Sequence, residues 1–159
     1  MRFSILAAIF LLIPPLTVQA GEGHEAAGRT ISYRTAVEVL ERDAENKPTK
    51  GTAERVGVTL HEKGPGAGSF SQVRIETAWE RTAKGGVYSG TLHRVLPNGD
   101  EQRLVIEGKF GKGWSKGTYE CEGGTGKYAA AKCSGIYEGQ SFSNRMAANQ
   151  WSGTIEFTD

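Results

Sequence analysis

Apolar and polar residues alternate with a period of two along most of the chain from Thr30 onward, the pattern of half-buried strands. The segment 31–39 opens it, with Ile31, Tyr33, Val37 and Val39 set among polar neighbours. Val37 and Leu40 also suit helical spacing, so a helix over 36–44 competes with the strand there. A loop follows at 46–51, marked by Pro48 and Gly51. The segment 55–62 places Val56, Val58 and Leu60 on one face. The glycines and proline of 64–68 allow only a turn. In 70–81, Val73, Ile75, Thr77 and Trp79 share a face opposite Arg74, Glu76 and Glu80.

The remaining segments repeat this rhythm. Strands are predicted over 87–96 and 101–110, joined by the hairpin signal Pro97-Asn98-Gly99-Asp100. Further strands are expected over 114–121, 133–138 and 150–157. About eight short strands at even spacing indicate an all-β sandwich or barrel. An eight-stranded barrel has an interior just wide enough to be filled by side chains or to hold one small ligand.

The first residues change the picture of where the chain works. Arg2 precedes an apolar run from Phe3 to Ile13, then Pro14-Pro15 and Val18-Gln19-Ala20. Those are the parts of a secretory signal over 1–20; the competing reading is an uncleaved anchor. The run falls short of the roughly 20 residues that span a bilayer. The expected location is therefore periplasmic or secreted, with no membrane span after removal of the signal. Residues 21–29 are small and polar and read as a flexible mature N-terminus. Residues 30–159 then form a single domain, within the usual size of about 100–150 residues.

Charge excludes some partners. Loss of Arg2 leaves 18 basic against 18 acidic residues, so there is no electrostatic grip for nucleic acid. Cys121 and Cys133 are the two cysteines, and in an oxidising compartment such a pair reads as a disulfide. A metal pair is the alternative, but two thiolates are half a zinc site and no histidine lies near them in sequence. No metal and no cofactor are expected.

The most distinctive stretch lies between those cysteines. Gly123, Gly124, Thr125 and Gly126 predict a structural turn whose glycines supply positive φ angles. A short helical turn would follow at Tyr128, its amides capped by Thr125. Gly124-Thr125-Gly126-Lys127 lacks the spacing of a phosphate-binding loop, and no Ser or Thr follows the lysine. The string from Glu122 to Tyr128, followed by Ala131 and Gly135, resembles the GGTG-(K/R)-(F/Y)-x-x-A-x-G segment of the allene oxide cyclase and dirigent β-barrel superfamily. With its leader the chain would be an exported, bacterial-type member. The resemblance implies an eight-stranded antiparallel barrel. It departs from the family in placing Cys133 near a position usually held by glycine. Plant members cyclise an epoxide or steer radical coupling; none of their cavity residues can be matched to this chain.

Candidate site residues come from the strands. His93 has a side chain that titrates near neutrality and could act as acid or base from a cavity-facing position. Arg103 would stand near Arg94 across the hairpin. Trp79, Tyr88 and Trp151 could form the wall of an apolar pocket, or simply core. No nucleophile–histidine–acid arrangement is evident, so no catalytic residue is assigned. Three functions remain open: a carrier of a small apolar ligand or of a protein partner, a cyclase- or isomerase-like enzyme, and a structural or stress-related envelope protein. Self-association is compatible with each.

Overall fold

The computed structural model describes residues 23–82 and 84–158. The secretory signal expected over 1–20 lies outside the described residues. The elements are β1 (Gly23–Arg42), β2 (Pro48–Lys63), β3 (Phe70–Thr82), β4 (Gly85–Val95), β5 (Glu101–Gly111), β6 (Trp114–Gly124), a 3-10 turn η1 (Gly126–Tyr128), β7 (Lys132–Ser141) and β8 (Met146–Glu156). Each strand pairs antiparallel with the next, and β1 closes on β8, giving a closed barrel of eight strands. The hairpin expected at 97–100 is present, and Gly99 takes φ 86°, a conformation open to glycine.

One expectation about the first strand is overturned. Residues 23–29 are strand rather than a flexible tail. Gly23 through Tyr33 pair with β8, from Gly23–Glu156 to Tyr33–Met146. Without them the β8 edge would leave a row of unpaired backbone groups. The small residues Ala26, Ala27 and Gly28 look like tail in the sequence, but Gly28 is what admits the Trp151 ring, which a Cβ there would meet at 2.6 Å. Of the two readings of 36–44, the strand is the one that forms, through Arg42. That segment stays paired with β2 as far as Arg42–Pro48, and register shifts between Arg34 and Ala36 and between Val39 and Arg42 bend it.

The inner face holds two apolar clusters. Val73, Ile75, Leu92, Leu104, Ile106 and Tyr119 form one. Leu96, Tyr128, Ala131 and Ile155 form the other, at the end that η1 covers. The inner face of β1 and β2 is different. It presents Thr30, Ser32, Thr59 and His61, all buried, while Val56, Val58 and Ile31 face outward and are exposed. Thr30 and Thr59 share a hydrogen bond at 2.6 Å, which satisfies both hydroxyls where no water reaches. No helix among the described residues is long and apolar enough to cross a membrane.

Cys121 and Cys133 form the disulfide. The β6–β7 ladder ends at Glu120–Ser134, and the disulfide is the next rung. It closes the segment that carries η1. The turn is built on Gly123 and Gly126, with φ of 139° and 53°. Gly124 has ordinary φ, and its missing Cβ instead admits Tyr128, which would sit 2.9 Å away. Thr125 does not cap η1. Its hydroxyl accepts from the Glu101 amide at 2.8 Å and ties the turn to β5.

Replacing both cysteines by serine should remove about 3 kcal/mol of stability, the loop-closure term for a segment of this length, while the far-ultraviolet β signal persists. Urea unfolding of the pair of proteins measures this. An unchanged midpoint would mean that the reduced, unfolded chain is already held compact near the turn.

Candidate functional site

The barrel is filled at the η1 end and open at the other, where β1 ends and β2 begins. A cavity of about 570 Å³ descends from that mouth, within the roughly 300–1,000 Å³ of small-molecule sites. Its wall is aliphatic along β3 to β5, through Ile75, Leu92, Leu104 and Ile106, and aromatic through Trp79, Tyr88, Tyr119, Tyr137 and Trp151. Thr30, Ser32 and Ala53 line the opposite side. A larger, shallow depression of about 1100 Å³ winds over outward-facing residues such as Glu80, Lys109 and Glu138. Apart from four rings that it shares with the lumen wall, Trp79, Tyr88, Tyr137 and Trp151, its side chains are exposed, so the lumen is the candidate site.

Every ionisable acid or base lining the lumen apart from tyrosine is a cation: Arg34, Arg55, Arg81, Arg94 and Lys112. Arg55 stands near the mouth. Its Nε donates to the Ser32 hydroxyl at 3.0 Å and its other arm donates to the Arg145 carbonyl at 3.2 Å. Burial and the neighbouring Arg34 both lower its pKa. Arg81 lies over the Phe110 ring.

Arg94 forms the floor. It is 5% exposed. One guanidinium nitrogen donates to Gln102 Oε1 at 2.9 Å, and the group lies 4.9 Å over the Trp151 ring. Its Nε is buried with no hydrogen-bond partner among the described residues, and so is the indole Nε1 of Trp151. Gln102 turns its amide nitrogen to the disulfide, 3.4 Å from Cys121 Sγ. Burial lowers the Arg94 pKa to about 10, so it stays charged at neutral pH. Tyr119 and Tyr128 are near enough to feel its charge, but burial is the larger effect and raises both their pKa values, leaving them neutral.

Beside it, His61 Nε2 and the Ser71 hydroxyl share a hydrogen bond at 3.0 Å. Burial, and then Arg94, push the His61 pKa down to about 4. This imidazole is neutral at pH 7 and a poor base. Among the described residues the lining offers hydrogen-bond donors and cations but no carboxylate to take a proton. Its chemistry favours holding an electron-rich group over moving protons.

Trp79, Tyr88 and Trp151 all line this lumen. His93 and Arg103 do not, which corrects their assignment to a pocket. Both point outward from adjacent strands, opposite one another in register. His93 pairs with Glu101 at 3.1 Å on the surface. The expected neighbours Arg94 and Arg103 thus stand on opposite faces of the sheet. The residues that sequence reasoning missed are Arg94, Gln102, Arg55 and His61. For Arg94 a signal existed: Leu92 and Leu96 flank it at strand spacing, so it shares their apolar face. Among the described residues no cluster of three or more His, Cys, Asp or Glu could hold a metal ion.

No protein-family model matches the chain, and no curated protein matches it. Among solved structures, it is similar to a pterocarpan synthase dirigent protein, with 12% sequence identity and a TM-score of 0.53. The match covers 96% of this chain and 100% of that one. At that identity the likeness shows the fold, a dirigent-like barrel, and leaves function open.

The depressed pKa of His61 has a sign that can be tested. The unfolded chain binds a proton near pH 6.5, and the folded chain refuses it until about pH 4. His61 therefore costs no stability above pH 6.5. Stability is lost progressively as pH falls from 6.5 to 4, by an amount on the order of 3 kcal/mol. In the His61→Gln variant this part of the pH dependence should vanish. Thermal melts of both proteins between pH 4 and 7 check it, and parallel profiles would contradict it.

Proposed function

We propose that the protein is a carrier that holds one small, partly aromatic molecule in the barrel lumen. The observation that supports this is the lumen itself: a cavity of about 570 Å³ walled largely by aliphatic and aromatic side chains, open at one end, with its charged groups at the mouth and floor and hydroxyls along β1. Such a site buries an apolar body while a few polar groups fix its orientation. A cyclase- or isomerase-like activity fits less well. Where such an activity moves a proton it needs a group that accepts one near pH 7, and the lumen-floor imidazole of His61 is held at about 4. The signal over 1–20 supports action outside the cytoplasm, in the periplasm or beyond the cell.

Native mass spectrometry of protein purified from its own host should show a fraction of the chain carrying one extra small mass. That fraction should fall in a Leu104→Trp variant, whose larger side chain occupies the lumen. Co-purifying mass that survives this substitution would place the ligand elsewhere.

A second reading rests on the outer face of β1 and β2. Ile31 and Val58 are opposite in register, as are Tyr33 and Val56, and Phe70 continues the row beyond Leu60. These side chains are roughly half exposed, Ile31 at 51% and Phe70 at 61%. A contiguous apolar patch of this kind marks an interaction surface, and we propose that it mates with a second copy of the chain. The ion pairs at its border, Arg29–Glu62 and Arg74–Glu54, are internally balanced and set up no repulsion between copies. Light scattering should give a mass above the monomer, reduced to the monomer by Val58→Glu. A monomer in the unmutated protein would end this reading and leave the lumen untouched.

A further inference from the structure

The lumen holds a charge without a counter-charge. Arg94 is buried at its floor, and none of the ion pairs among the described residues includes it. Isolated charges in a protein interior are costly enough that they are ordinarily paired. Its neighbours are poor substitutes for a carboxylate. Gln102 offers a neutral carbonyl oxygen, the Trp151 ring offers its face, and the tyrosines remain protonated. His61 could only add positive charge, and its low pKa prevents that. Among the described residues the lining of the cavity carries no Asp or Glu, and its other cations, Arg34 and Arg55 among them, lie on the path from the mouth.

We propose that the lumen is selective for an amphipathic acid: an apolar, partly aromatic body carrying one carboxylic, sulfonic or phosphoric group, with the acid seated on Arg94. This rests on the carrier reading above and deepens it. The apolar body lies along Leu92, Leu104 and Ile106. The acid reaches the floor, where the guanidinium fork presents its Nε and the nitrogen not committed to Gln102. Two parallel N–H donors match the geometry of an acid's two oxygens. The indole N–H of Trp151, also without a partner, belongs to the ring against which that guanidinium is stacked. The cations near the mouth would draw an anion inward, and the balanced exterior would not compete for it.

The requirement for a charge separates this proposal from simple apolar filling. Calorimetric titration at pH 7 compares naphthoate with naphthylmethanol, and dodecanoate with dodecanol, pairs that share a body and differ in charge. The acid should bind at least about tenfold more tightly than its alcohol, the lower end of what a buried charge-assisted bond contributes. In Arg94→Gln the preference should collapse toward unity while alcohol binding persists. In Arg94→Lys, which keeps the charge but loses the fork, an intermediate preference should remain. Equal binding of acid and alcohol by the unmutated protein overturns the acid-selective site and leaves the carrier intact. Binding of neither pair overturns both readings. Should Arg94→Gln fail to fold, the acid-to-alcohol ratio in the unmutated protein decides the question by itself.

Discussion

The inward-pointing rings of this barrel fit only because the rung across from each is a glycine. Trp151 lies opposite Gly28, Trp79 opposite Gly51, Tyr88 opposite Gly108, Tyr119 opposite Gly135 and Tyr137 opposite Gly117. The space is used completely. A Cβ at Gly28 or Gly51 would come within 2.6 Å of the indole it faces, and one at Gly117 within 2.5 Å of the Tyr137 hydroxyl. Eight strands enclose too narrow a tube for large rings to stand upright across it. Lying flat over a bare stretch of backbone, each ring buries its area, and neighbouring rings still pack together, Tyr88 with Tyr137 and Tyr119 with Trp151. A glycine in a strand is unfavourable by about 0.5–1 kcal/mol; burying a ring contributes about 1.5–3 kcal/mol, so each pair is favourable. The pairs also lock register, because a one-residue slip would drive a ring into a side chain and turn the inner set outward.

That arrangement decides what sort of space is left. Rings that hug the wall leave the axis open at the mouth end. At the η1 end Tyr128 and Ile155 close it. The two sides of the opening differ in chemistry, because β1 and β2 turn their apolar residues outward and their small polar residues inward. The inner polar groups are satisfied among themselves: Thr30 with Thr59, Arg55 with Ser32, His61 with Ser71. The lumen is therefore amphipathic by construction, aliphatic along β3 to β5 and hydroxyl-lined along β1 and β2.

Most of the architecture was legible in the chain. Alternation located the strands, and Asn98-Gly99 located a hairpin. The segment around Gly123 to Gly126 pointed to the barrel and to the disulfide across its turn. What misled was facing. In β2 the apolar residues look like core, yet they lie outside, because Thr59 and His61 find buried hydrogen-bond partners on the two flanking strands, Thr30 on β1 and Ser71 on β3. In β4 the histidine drew attention as the titratable group, while the adjacent arginine faces the lumen. Only the parity of Leu92 and Leu96 distinguishes the two. The N-terminal residues 23–29 carry almost no strand signal of their own. They are ordered by the edge of β8, a partner more than a hundred residues along the chain, and no local pattern encodes that.

The floor of the lumen joins these strands into one unit. Arg94 on β4 donates to Gln102 on β5, and Gln102 donates to the sulfur of Cys121 on β6, which is bonded to Cys133 on β7. Trp151 on β8 covers the guanidinium and rests in turn on Gly28 of β1. The disulfide thus fixes more than the turn it closes, since it holds one end of the series that orients the buried cation. An apolar residue at that position would satisfy a core more simply, because a buried charge without a carboxylate is a loss for stability alone. A fold that keeps such a group, and surrounds it with partners that orient without neutralising it, departs from the rules of stable packing at one place. Departures of that kind are expected at binding sites, where structural stability is traded against function.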